Sequence, residues 1–181
     1  KGIWYSVFHS ISAFCNAGFD LMGIREKYSS LTYFVEDPFI NFAIMALIVI
    51  GGIGFMTWDD IKTNRWRLIR YRMQSKVILT TTALLIVIPA VYFFFFEFAD
   101  APLAERIWSS FFQSVTPRTA GFNTVDLTLI SETGCMVMIA LMLIGGSPGS
   151  TAGGMKTTTF AVMLSNMVSV FRKREHTHFF G

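Results

Sequence analysis

The sequence Phe112-Gln-Ser-Val-Thr-Pro-Arg-Thr-Ala-Gly-Phe-Asn123 has an earlier copy in the same chain, Phe8-His-Ser-Ile-Ser-Ala-Phe-Cys-Asn-Ala-Gly-Phe-Asp20. In both copies a short apolar stretch with a helical pattern leads to the tripeptide Ala-Gly-Phe, and a long apolar segment comes after it. The first copy holds one extra residue near Cys15, before the glycine. The repetition therefore predicts two similar structural units whose turns differ slightly in length.

The composition indicates a membrane protein. Hydrophobic residues make up 52% of the sequence and charged residues 15%, whereas an ordinary soluble domain has roughly 25% charged residues. The two cysteines, Cys15 and Cys135, lie far apart without the spacing of a metal site, which predicts free thiols. Because the chain opens at Lys1 already inside an apolar half-helix, we interpret it as a piece of a longer protein.

Three apolar segments are long enough to cross a membrane as helices. Residues 39–56 and 77–96 are uncharged, and at 1.5 Å per residue the shorter of them would span about 27 Å. The third segment runs from Cys135 to Phe171 and is interrupted by the glycine-rich stretch Gly145–Gly154.

The distribution of basic residues predicts the orientation of these spans. Residues 57–76 are rich in Lys and Arg, and Arg172-Lys173-Arg174 follows the third span, so that the positive-inside rule places both segments in the cytoplasm. A nucleic-acid-binding arm is a less favoured interpretation of the same charges. Residues 1–38 and 97–134 then face outward. The acidic residues of the second outer segment either concentrate cations or belong to a solvated loop.

The segment Leu103–Thr116 predicts a half-helix, since at about 21 Å it is too short to cross a bilayer. It would enter from outside and end part-way, where the negative end of its dipole favours a cation. The chain would return as extended backbone, which is tolerated at membrane depth where it lines a wet cavity. Gly121 would permit the turn that aims successive carbonyls at one ion, and the first copy predicts the same.

Backbone carbonyls in this arrangement can replace the water shell of a dehydrated cation, and the repeated motif therefore predicts the selectivity filter of an ion pore. The predicted filter residues are Cys15, Asn16, Ala17, Gly18, Phe19, Thr119, Ala120, Gly121 and Phe122. The predicted cation ligands are the carbonyls of Asn16, Ala17, Gly18, Thr119, Ala120 and Gly121, and the family resemblance described below implies K⁺ as their ion.

The stretch Gly145–Gly154 cannot continue a helix and predicts a loop inside the membrane. Its backbone must be buried in protein or line water, because peptide groups are not left unpaired in lipid. Below a filter, such a loop would be a natural gate. The predicted gating residues are Gly145, Gly146, Ser147, Pro148, Gly149, Ser150, Thr151, Ala152, Gly153, Gly154 and Lys156. Lys156 would either face the ion path or extend to the inner interface.

Two further features have plain structural interpretations. His9 and the aromatic residues around it are expected to stiffen the filter by packing, with His9 hydrogen-bonded and without a catalytic role. Gly51-Gly52-Ile53-Gly54 predicts a close contact of the small-residue type, with a hinge as the alternative.

Together these residues resemble the Trk/Ktr/HKT superfamily of potassium transporters, and within it the KtrB-type membrane subunits. The motifs that carry the resemblance are the two Ala-Gly-Phe segments and Gly145-Gly-Ser-Pro-Gly-Ser-Thr-Ala-Gly-Gly-Met-Lys-Thr-Thr-Thr159. With the spacing of the spans, the resemblance covers nearly the whole chain, and the third motif is highly specific.

The resemblance implies an all-α membrane protein in which four repeats (M1–pore loop–M2) surround one pseudo-fourfold, potassium-channel-like pore, of which this is a partial chain. Residues 1–56 would be the pore helix, filter and M2 of the second repeat, residues 57–76 a cytoplasmic basic linker, and residues 77–181 the third repeat with its broken M2. Gly18 and Gly121 would correspond to filter glycines, and Gly145–Lys156 to the intramembrane gating loop.

The resemblance also implies partners and a location. The expected partners are the remaining repeats, a second copy in a homodimer, membrane lipid, and a cytoplasmic KtrA-like ring of RCK subunits that binds ATP or ADP; nucleic acid is not expected. The chain would take up K⁺ across the plasma membrane as a multi-pass protein, in a bacterium the inner membrane. Uptake would depend on Na⁺, and no organic cofactor is expected in this chain.

Three other functions compete with this interpretation. A weakly selective Na⁺/K⁺ pore of the same superfamily is the runner-up, because each filter wall has a single glycine. A nucleotide-dependent membrane enzyme would use Gly149–Thr157 as a phosphate-binding loop, but Met155 separates the glycine from the lysine and no strand precedes the motif. A non-conducting assembly subunit is disfavoured by the two filter copies.

Overall fold

The chain folds into seven α-helices over the residues that the computed structural model describes, which are 2–24, 29–65 and 67–172. In chain order the helices are α1 (Gly2–Phe14), α2 (Pro38–Ile53), α3 (Phe55–Asn64), α4 (Met73–Tyr92), α5 (Leu103–Val115), α6 (Glu132–Leu143) and α7 (Thr157–Phe171). Within these residues the extended pairing is limited to an isolated bridge between Ile144 and Met155. The prediction of an all-α protein is confirmed.

The two predicted half-helices are α1 and α5. Helix α5 begins at Leu103 and ends at Val115, with Thr116 as its C-cap, which agrees with the predicted segment to within one residue. Helix α1 ends at Phe14, directly before the first Ala-Gly-Phe motif. Each half-helix packs against a longer helix of its own unit, α1 against α2 and α5 against α4.

Helix α2 is shorter than the span predicted over residues 39–56. It ends at Ile53 because Gly54 has a φ of 92°, which a right-handed helix cannot contain, and α3 departs from it at an angle of 97°. Phe55 and Met56 therefore belong to α3, and the prediction of one uninterrupted span is wrong at its inner end.

The glycines before this bend include the close contact that the sequence predicted. A Cβ atom on Gly51 would lie 1.9 Å from the carbonyl oxygen of Phe14, so that only glycine lets α2 approach the end of α1 this closely. The two interpretations of residues 51–54 thus apply to different glycines, since Gly51 makes the contact and Gly54 makes the bend.

Helix α4 provides the long span of the second unit. It continues beyond Tyr92 as a wider helical turn, Phe93–Glu97, and Met73–Glu97 is long and apolar enough to cross a membrane. Pro89 lies inside α4, and the widened turn follows it. Among the described residues α2 and α3 pass the same test only as a bent pair, whereas α6 and α7 are each too short.

The third predicted span is divided between α6 and α7. Helix α6 begins after Ser131, whose hydroxyl accepts a hydrogen bond from the Gly134 N–H at 3.1 Å. It ends at Leu143, and α7 resumes at Thr157 after the glycine-rich loop, which confirms the predicted interruption. Of the basic cluster predicted after this span, Lys173 and Arg174 lie outside the described residues.

A single core joins the two units. Helix α2 of the first unit contacts α5 of the second. The core around this contact is formed by apolar residues from both units: Ala13, Leu31, Ile44, Met45, Ile48, Phe112, Val115, Ala120 and Phe122. Since residues beside both Ala-Gly-Phe motifs belong to this core, burial fixes the two motifs relative to each other.

Asp60 connects α3 to the beginning of α4. Its buried carboxylate accepts hydrogen bonds from the Ser75 hydroxyl at 2.5 Å and from the Arg72 N–H at 3.1 Å. The Arg72 guanidinium lies 3.4 Å from the same carboxylate. The neighbouring Asp59 also pairs with Arg72, at 3.5 Å, but both of those side chains are more than half exposed.

Replacing Asp60 with Ala should lower the free energy of unfolding by about 2 kcal/mol, because the buried Ser75 hydroxyl on α4 and the N–H of Arg72, which precedes α4, lose a charged acceptor. The unfolding midpoint of the purified full-length protein in detergent measures this change. Asp59→Ala is the matched control, since an exposed ion pair contributes less than about 1 kcal/mol. Equal effects of the two substitutions would contradict a special role for the buried carboxylate.

Candidate functional site

Each half-helix ends in a turn whose backbone N–H groups donate hydrogen bonds to carbonyl oxygens near the end of that helix. After α1, the Ala17 N–H donates to the Ser12 carbonyl oxygen at 2.9 Å. After α5, the Gly121 N–H donates to the Thr116 carbonyl oxygen at 3.0 Å. We call residues 15–19 and 119–122 the two filter turns, after the filter that the sequence predicts there. In both units an N–H of the turn thus donates back to the last turn of the half-helix. The extra residue in the first copy shifts the register, since the equivalent of Ala17 is Ala120, whose N–H donates to the Thr116 carbonyl oxygen at 3.1 Å.

The backbone of both filter turns repeats an uncommon conformation. Asn16 and Gly18 have φ angles of 53° and 71°, and Thr119 and Gly121 have φ angles of 80° and 84°. In each turn the glycine and the residue two positions before it are therefore left-handed. The two turns therefore share the same pair of uncommon backbone conformations, although they belong to segments about one hundred residues apart in the chain.

Sequence reasoning assigned this special conformation to the glycines and missed Asn16 and Thr119. For Asn16 a signal existed, because asparagine tolerates the left-handed region better than most residues. Threonine is β-branched and gives no such signal, so a φ of 80° at Thr119 is a strained conformation. Strained residues of this kind concentrate at functional sites, where the surrounding structure holds them in place.

A side-chain hydroxyl fixes the far side of each filter turn. Ser12 Oγ donates to the Phe19 carbonyl oxygen at 2.8 Å, and Thr116 Oγ1 donates to the Phe122 carbonyl oxygen at 2.6 Å. The sequence alignment of the two copies pairs Ser12 with Thr116, but no role was predicted for either. Both hydroxyls tie the last turn of the half-helix to the residue after the filter glycine.

His9 has the structural role that the sequence predicted. Its Nδ1 lies 2.7 Å from the Tyr5 carbonyl oxygen, and its Nε2 accepts a hydrogen bond from the Leu21 N–H at 3.3 Å. A carbonyl only accepts and an amide only donates, so these partners require a neutral ring protonated at Nδ1. The buried ring also contacts Phe122, with 6.4 Å between ring centroids.

The two filter turns lie side by side. A Cβ atom on Gly18 would lie 1.8 Å from the carbonyl oxygen of Ala120 and 3.4 Å from the Cα atom of Gly121. On the next stretch of chain, the Leu31 N–H donates to the Asn123 carbonyl oxygen at 2.8 Å. Gly18 therefore permits a backbone contact between the turns as well as its left-handed φ.

The loop between α6 and α7, residues 145–156, is closed at its base by paired backbone groups. We call it the intramembrane loop. The Gly145 N–H donates to the Met155 carbonyl oxygen at 2.9 Å, and the Thr157 N–H donates to the Gly146 carbonyl oxygen at 3.1 Å. The hydroxyls of Ser147 and Thr157, both fully buried, lie 3.0 Å apart. The two ends of the broken helix are therefore held together.

The tip of the intramembrane loop docks on the broken end of α2. The N–H groups of Ser147 and Thr151 donate to the carbonyl oxygens of Gly52 and Gly51, at 2.9 and 3.2 Å. In return, the Phe55 N–H donates to the Gly149 carbonyl oxygen at 3.1 Å. The last carbonyls of a helix have no partner within the helix, and here the loop supplies those partners.

The same loop contacts both filter turns. Thr151 Oγ1 donates to the Phe14 carbonyl oxygen at 2.8 Å and accepts a hydrogen bond from the Asn16 side-chain amide at 3.1 Å. A Cβ atom on Gly154 would lie 3.7 Å from the Thr119 methyl group. These contacts place the loop next to the filter turns.

Lys156 adopts an arrangement that the sequence did not suggest. Its ammonium group donates to the Ala152 carbonyl oxygen at 2.8 Å, within the loop itself. The half-buried side chain thus closes the second half of the loop. The two predicted alternatives, an ammonium group that faces the ion path or one that extends to the inner interface, did not include this bond.

The acidic outer residues are partly engaged in local structure. The Glu97 carboxylate accepts hydrogen bonds from the backbone N–H and the hydroxyl of Ser131, each at 2.7 Å. Hydrogen bonds from the Thr128 N–H and hydroxyl lower the pKa of Asp126, which keeps this carboxylate charged. Both residues line a depression of about 740 Å³. The choice between a vestibule that concentrates cations and a solvated loop stays a prediction.

The cysteines are free thiols, as predicted, with Cys15 exposed and Cys135 partly buried. In the part of the chain that the structure describes, no group of His, Cys, Asp or Glu has the arrangement of a metal site.

Comparison with known proteins identifies the family. The family described as "TrkH: Cation transport protein" matches residues 1–179. Potassium/sodium uptake protein NtpJ of Enterococcus hirae is 40% identical over 186 residues, covering 100% of this chain and 40% of NtpJ. Ktr system potassium uptake protein B of Bacillus subtilis is 37% identical, covering 99% of this chain and 40% of that protein. The chain thus spans less than half the length of these curated relatives.

A solved structure has the same fold. The crystal structure of the potassium transporter TrkH from Vibrio parahaemolyticus matches with a TM-score of 0.73 at 19% sequence identity, covering 93% of this chain and 36% of that one.

The chain contains two half-helices, and each is followed by a turn that reverses the direction of the chain. These half-helices lie among broken and unbroken apolar helices. The architecture is that of a multi-pass, all-α membrane protein. The chain belongs to the TrkH family of cation transport proteins, located in the plasma membrane, and its relatives support a KtrB-type member of the Trk/Ktr group. The family is one of transport proteins and not of enzymes, in agreement with the interpretation of residues 149–157.

Replacing Thr116 with Val should lower the free energy of unfolding by about 2 kcal/mol, because the Phe122 carbonyl loses its buried hydroxyl donor. Thr116→Ser keeps the hydroxyl and should retain most of the stability, and Thr159→Val makes the same change on an exposed face of α7. The unfolding midpoint of the full-length protein in detergent distinguishes these variants. If Thr116→Ser were as damaging as Thr116→Val, the methyl group and not the hydrogen bond would be responsible.

Proposed function

We propose that this chain forms two adjacent walls of the selectivity filter in a potassium uptake protein, together with the gate beneath them. The observation that carries the proposal is the repeated geometry of the filter turns, in which two half-helices end in turns with the same pair of left-handed residues. The direct contact between Gly18 and Ala120 supports a shared ion path between the turns.

In this proposal the carbonyls of Asn16, Ala17, Gly18, Thr119, Ala120 and Gly121 replace the hydration shell of K⁺. The hydrogen bonds that the Ser12 and Thr116 hydroxyls donate hold the turns at a fixed width, so that the carbonyls cannot move closer together around a smaller ion. The negative ends of the α1 and α5 dipoles favour a cation at the same place. Cys15, Phe19 and Phe122 complete the turns without a proposed ligand role.

The proposed boundaries are those that the sequence predicts. Residues 1–56 form the pore helix, filter and second membrane helix of one repeat, with Phe55 and Met56 already beyond the bend in α3. Residues 57–76 form a cytoplasmic linker, and residues 77–181 form a further repeat with its broken second helix. The remaining walls come from repeats outside this sequence. The names of two relatives support the ion, since NtpJ is a potassium/sodium uptake protein and the Bacillus subtilis relative is a potassium uptake protein.

A weakly selective Na⁺/K⁺ pore is the second candidate. It is favoured by the name of NtpJ, which includes both ions, and by the single glycine in each filter turn. The two candidates differ in the ratio of K⁺ to Na⁺ uptake and not in architecture.

Replacing Gly121 with Ser in the full-length protein should reduce the preference for K⁺ over Na⁺ about tenfold, because a side chain opposes the φ of 84° that orients the carbonyls. Uptake of both ions by cells that lack other potassium uptake systems measures the ratio. Gly23→Ser is the control, since a Cβ there meets no neighbour within 4 Å. A wild-type protein that takes up neither ion would refute the proposed function, and an unchanged ratio in Gly121→Ser would refute the filter.

We further propose that the intramembrane loop, Gly145–Lys156, is the gate. Its tip is held by hydrogen bonds to Gly51, Gly52 and Phe14, each contributing about 1 kcal/mol net. Several such bonds would hold the loop in place at rest, yet a regulator that contributes a comparable free energy would displace it. Lys156 adds a positive charge to the loop, which opposes the passage of cations.

Deleting Ser150–Gly153 should raise K⁺ flux and make it less responsive to regulation, because the loop could no longer fill the path. Lys156→Ala should act in the same direction more weakly, since it removes the charge and the bond to Ala152 but leaves the loop. K⁺ uptake by the full-length variants, normalised to the amount of protein in the membrane, provides the measurement. Lower uptake in the deletion variant would mean that the loop is a structural connection and not a gate.

The proposed assembly is a homodimer that binds a cytoplasmic ring of RCK subunits carrying ATP or ADP, with uptake of K⁺ dependent on Na⁺. The name of the Bacillus subtilis relative, which assigns it to a Ktr system, supports the existence of further components. The basic segment between α3 and α4, where Ile69 is 90% exposed, is the proposed contact region on the cytoplasmic side.

A further inference from the structure

A small cavity lies where the functional parts of the chain meet. Its volume is about 10 Å³. It is lined by Asn16 of the first filter turn, by Arg118 just before the second, by Thr82 of α4, and by Gly146 and Ala152 of the intramembrane loop. Residues of α2 complete the wall. A cavity of this volume has room for about one water molecule.

Three of these residues carry a buried polar atom that has no hydrogen-bond partner among the described residues. The atoms are Asn16 Oδ1, Thr82 Oγ1 and Arg118 Nε. Asn16, Thr82 and Arg118 are exposed to only 8%, 7% and 8%, so bulk water does not compensate for the missing partners. Buried polar groups without any partner are rare in folded proteins, and three around one cavity indicate that something polar occupies it.

The orientation of the Asn16 amide is fixed by its other contacts. Its nitrogen donates to the Ile48 carbonyl oxygen at 3.3 Å and to Thr151 Oγ1 at 3.1 Å. Because a carbonyl can only accept, the amide cannot be turned round without losing a bond, and Asn16 Oδ1 remains as an acceptor. Arg118 Nε is a donor, and the Thr82 hydroxyl can both donate and accept.

Water matches this set of groups better than an ion does. One water molecule can accept from Arg118 Nε and from the Thr82 hydroxyl while it donates to Asn16 Oδ1. The positive charge of Arg118 opposes a cation at the same place. A larger anion would exceed the volume of the cavity.

We propose that a single buried water molecule bridges Asn16, Arg118 and Thr82, and that Arg118 is through this water a positioning residue for both filter turns. The inference rests on the proposed function of those turns as a filter. Arg118 lies next to Thr119, and Asn16 is itself left-handed, so the water connects the backbone segments that set the width between the turns. Thr82 anchors the water to α4, which belongs to neither turn.

The bridging water gives a specific prediction for Thr82. Thr82→Val keeps the shape of the side chain but removes the hydroxyl, and should lower the preference for K⁺ over Na⁺ about fivefold, the effect expected for one hydrogen bond. Thr82→Ser restores the hydroxyl and should retain the wild-type ratio. Thr80→Val makes the same change on the exposed side of α4 and serves as the control. Uptake of K⁺ and Na⁺ by the full-length variants measures the ratio.

A structure of the full-length protein at a resolution that reveals ordered water provides an independent test. Density within hydrogen-bond distance of Asn16 Oδ1, Thr82 Oγ1 and Arg118 Nε is expected in the wild-type protein and should be lost in Thr82→Val. A direct bond between Arg118 and Asn16, or the absence of density, would overturn the proposal whatever the transport result.

The transport experiment separates this inference from the filter assignment. If Gly121→Ser loses the ion preference while Thr82→Val keeps it, the filter stands and the positioning role of the water is wrong. If Gly121→Ser also keeps it, the filter assignment itself fails.

Discussion

In a membrane a broken helix must find partners for its free peptide groups, and this chain breaks two helices at the same place. The carbonyls of Gly51 and Gly52 at the end of α2 accept hydrogen bonds from the intramembrane loop, and the loop accepts one from Phe55 at the start of α3. Each break therefore compensates for the other. The arrangement requires both units, because α2 belongs to the first and the loop to the second.

The filter turns depend on this arrangement because they are attached to the same groups. Gly51 has no side chain, which allows α2 to contact the Phe14 carbonyl at the end of α1. Thr151 of the loop donates to that same carbonyl. The strained backbone at Thr119 persists only where neighbouring segments hold it, and Gly154 of the loop lies beside the Thr119 methyl group. The hydrogen bonds from the Ser12 and Thr116 hydroxyls add a local constraint on each turn, and this constraint is the same in both units.

The sequence predicted much of this arrangement because the signals were local. The half-helix over 103–116, the long span after residue 76 and the break after Leu143 follow from apolar length and glycine content. The bend at Gly54 was only an alternative, since sequence cannot tell whether a glycine serves packing or a change of direction. The left-handed Thr119 and the cavity at Arg118 could not be predicted, because they arise from contacts between segments distant in the chain.

Thr151 shows why the filter and the loop cannot be independent. Its hydroxyl donates to the Phe14 carbonyl and accepts from the Asn16 amide, and its N–H donates to the Gly51 carbonyl. A displacement of the loop that moves Thr151 must therefore remove a partner from Asn16, one of the two left-handed residues of the first filter turn. The second turn has no equivalent hydrogen bond to the loop among the described residues, although Gly154 of the loop lies near the Thr119 methyl group. Movement of the loop consequently affects the two turns unequally, and the extra residue near Cys15 lies in the turn that is more strongly coupled.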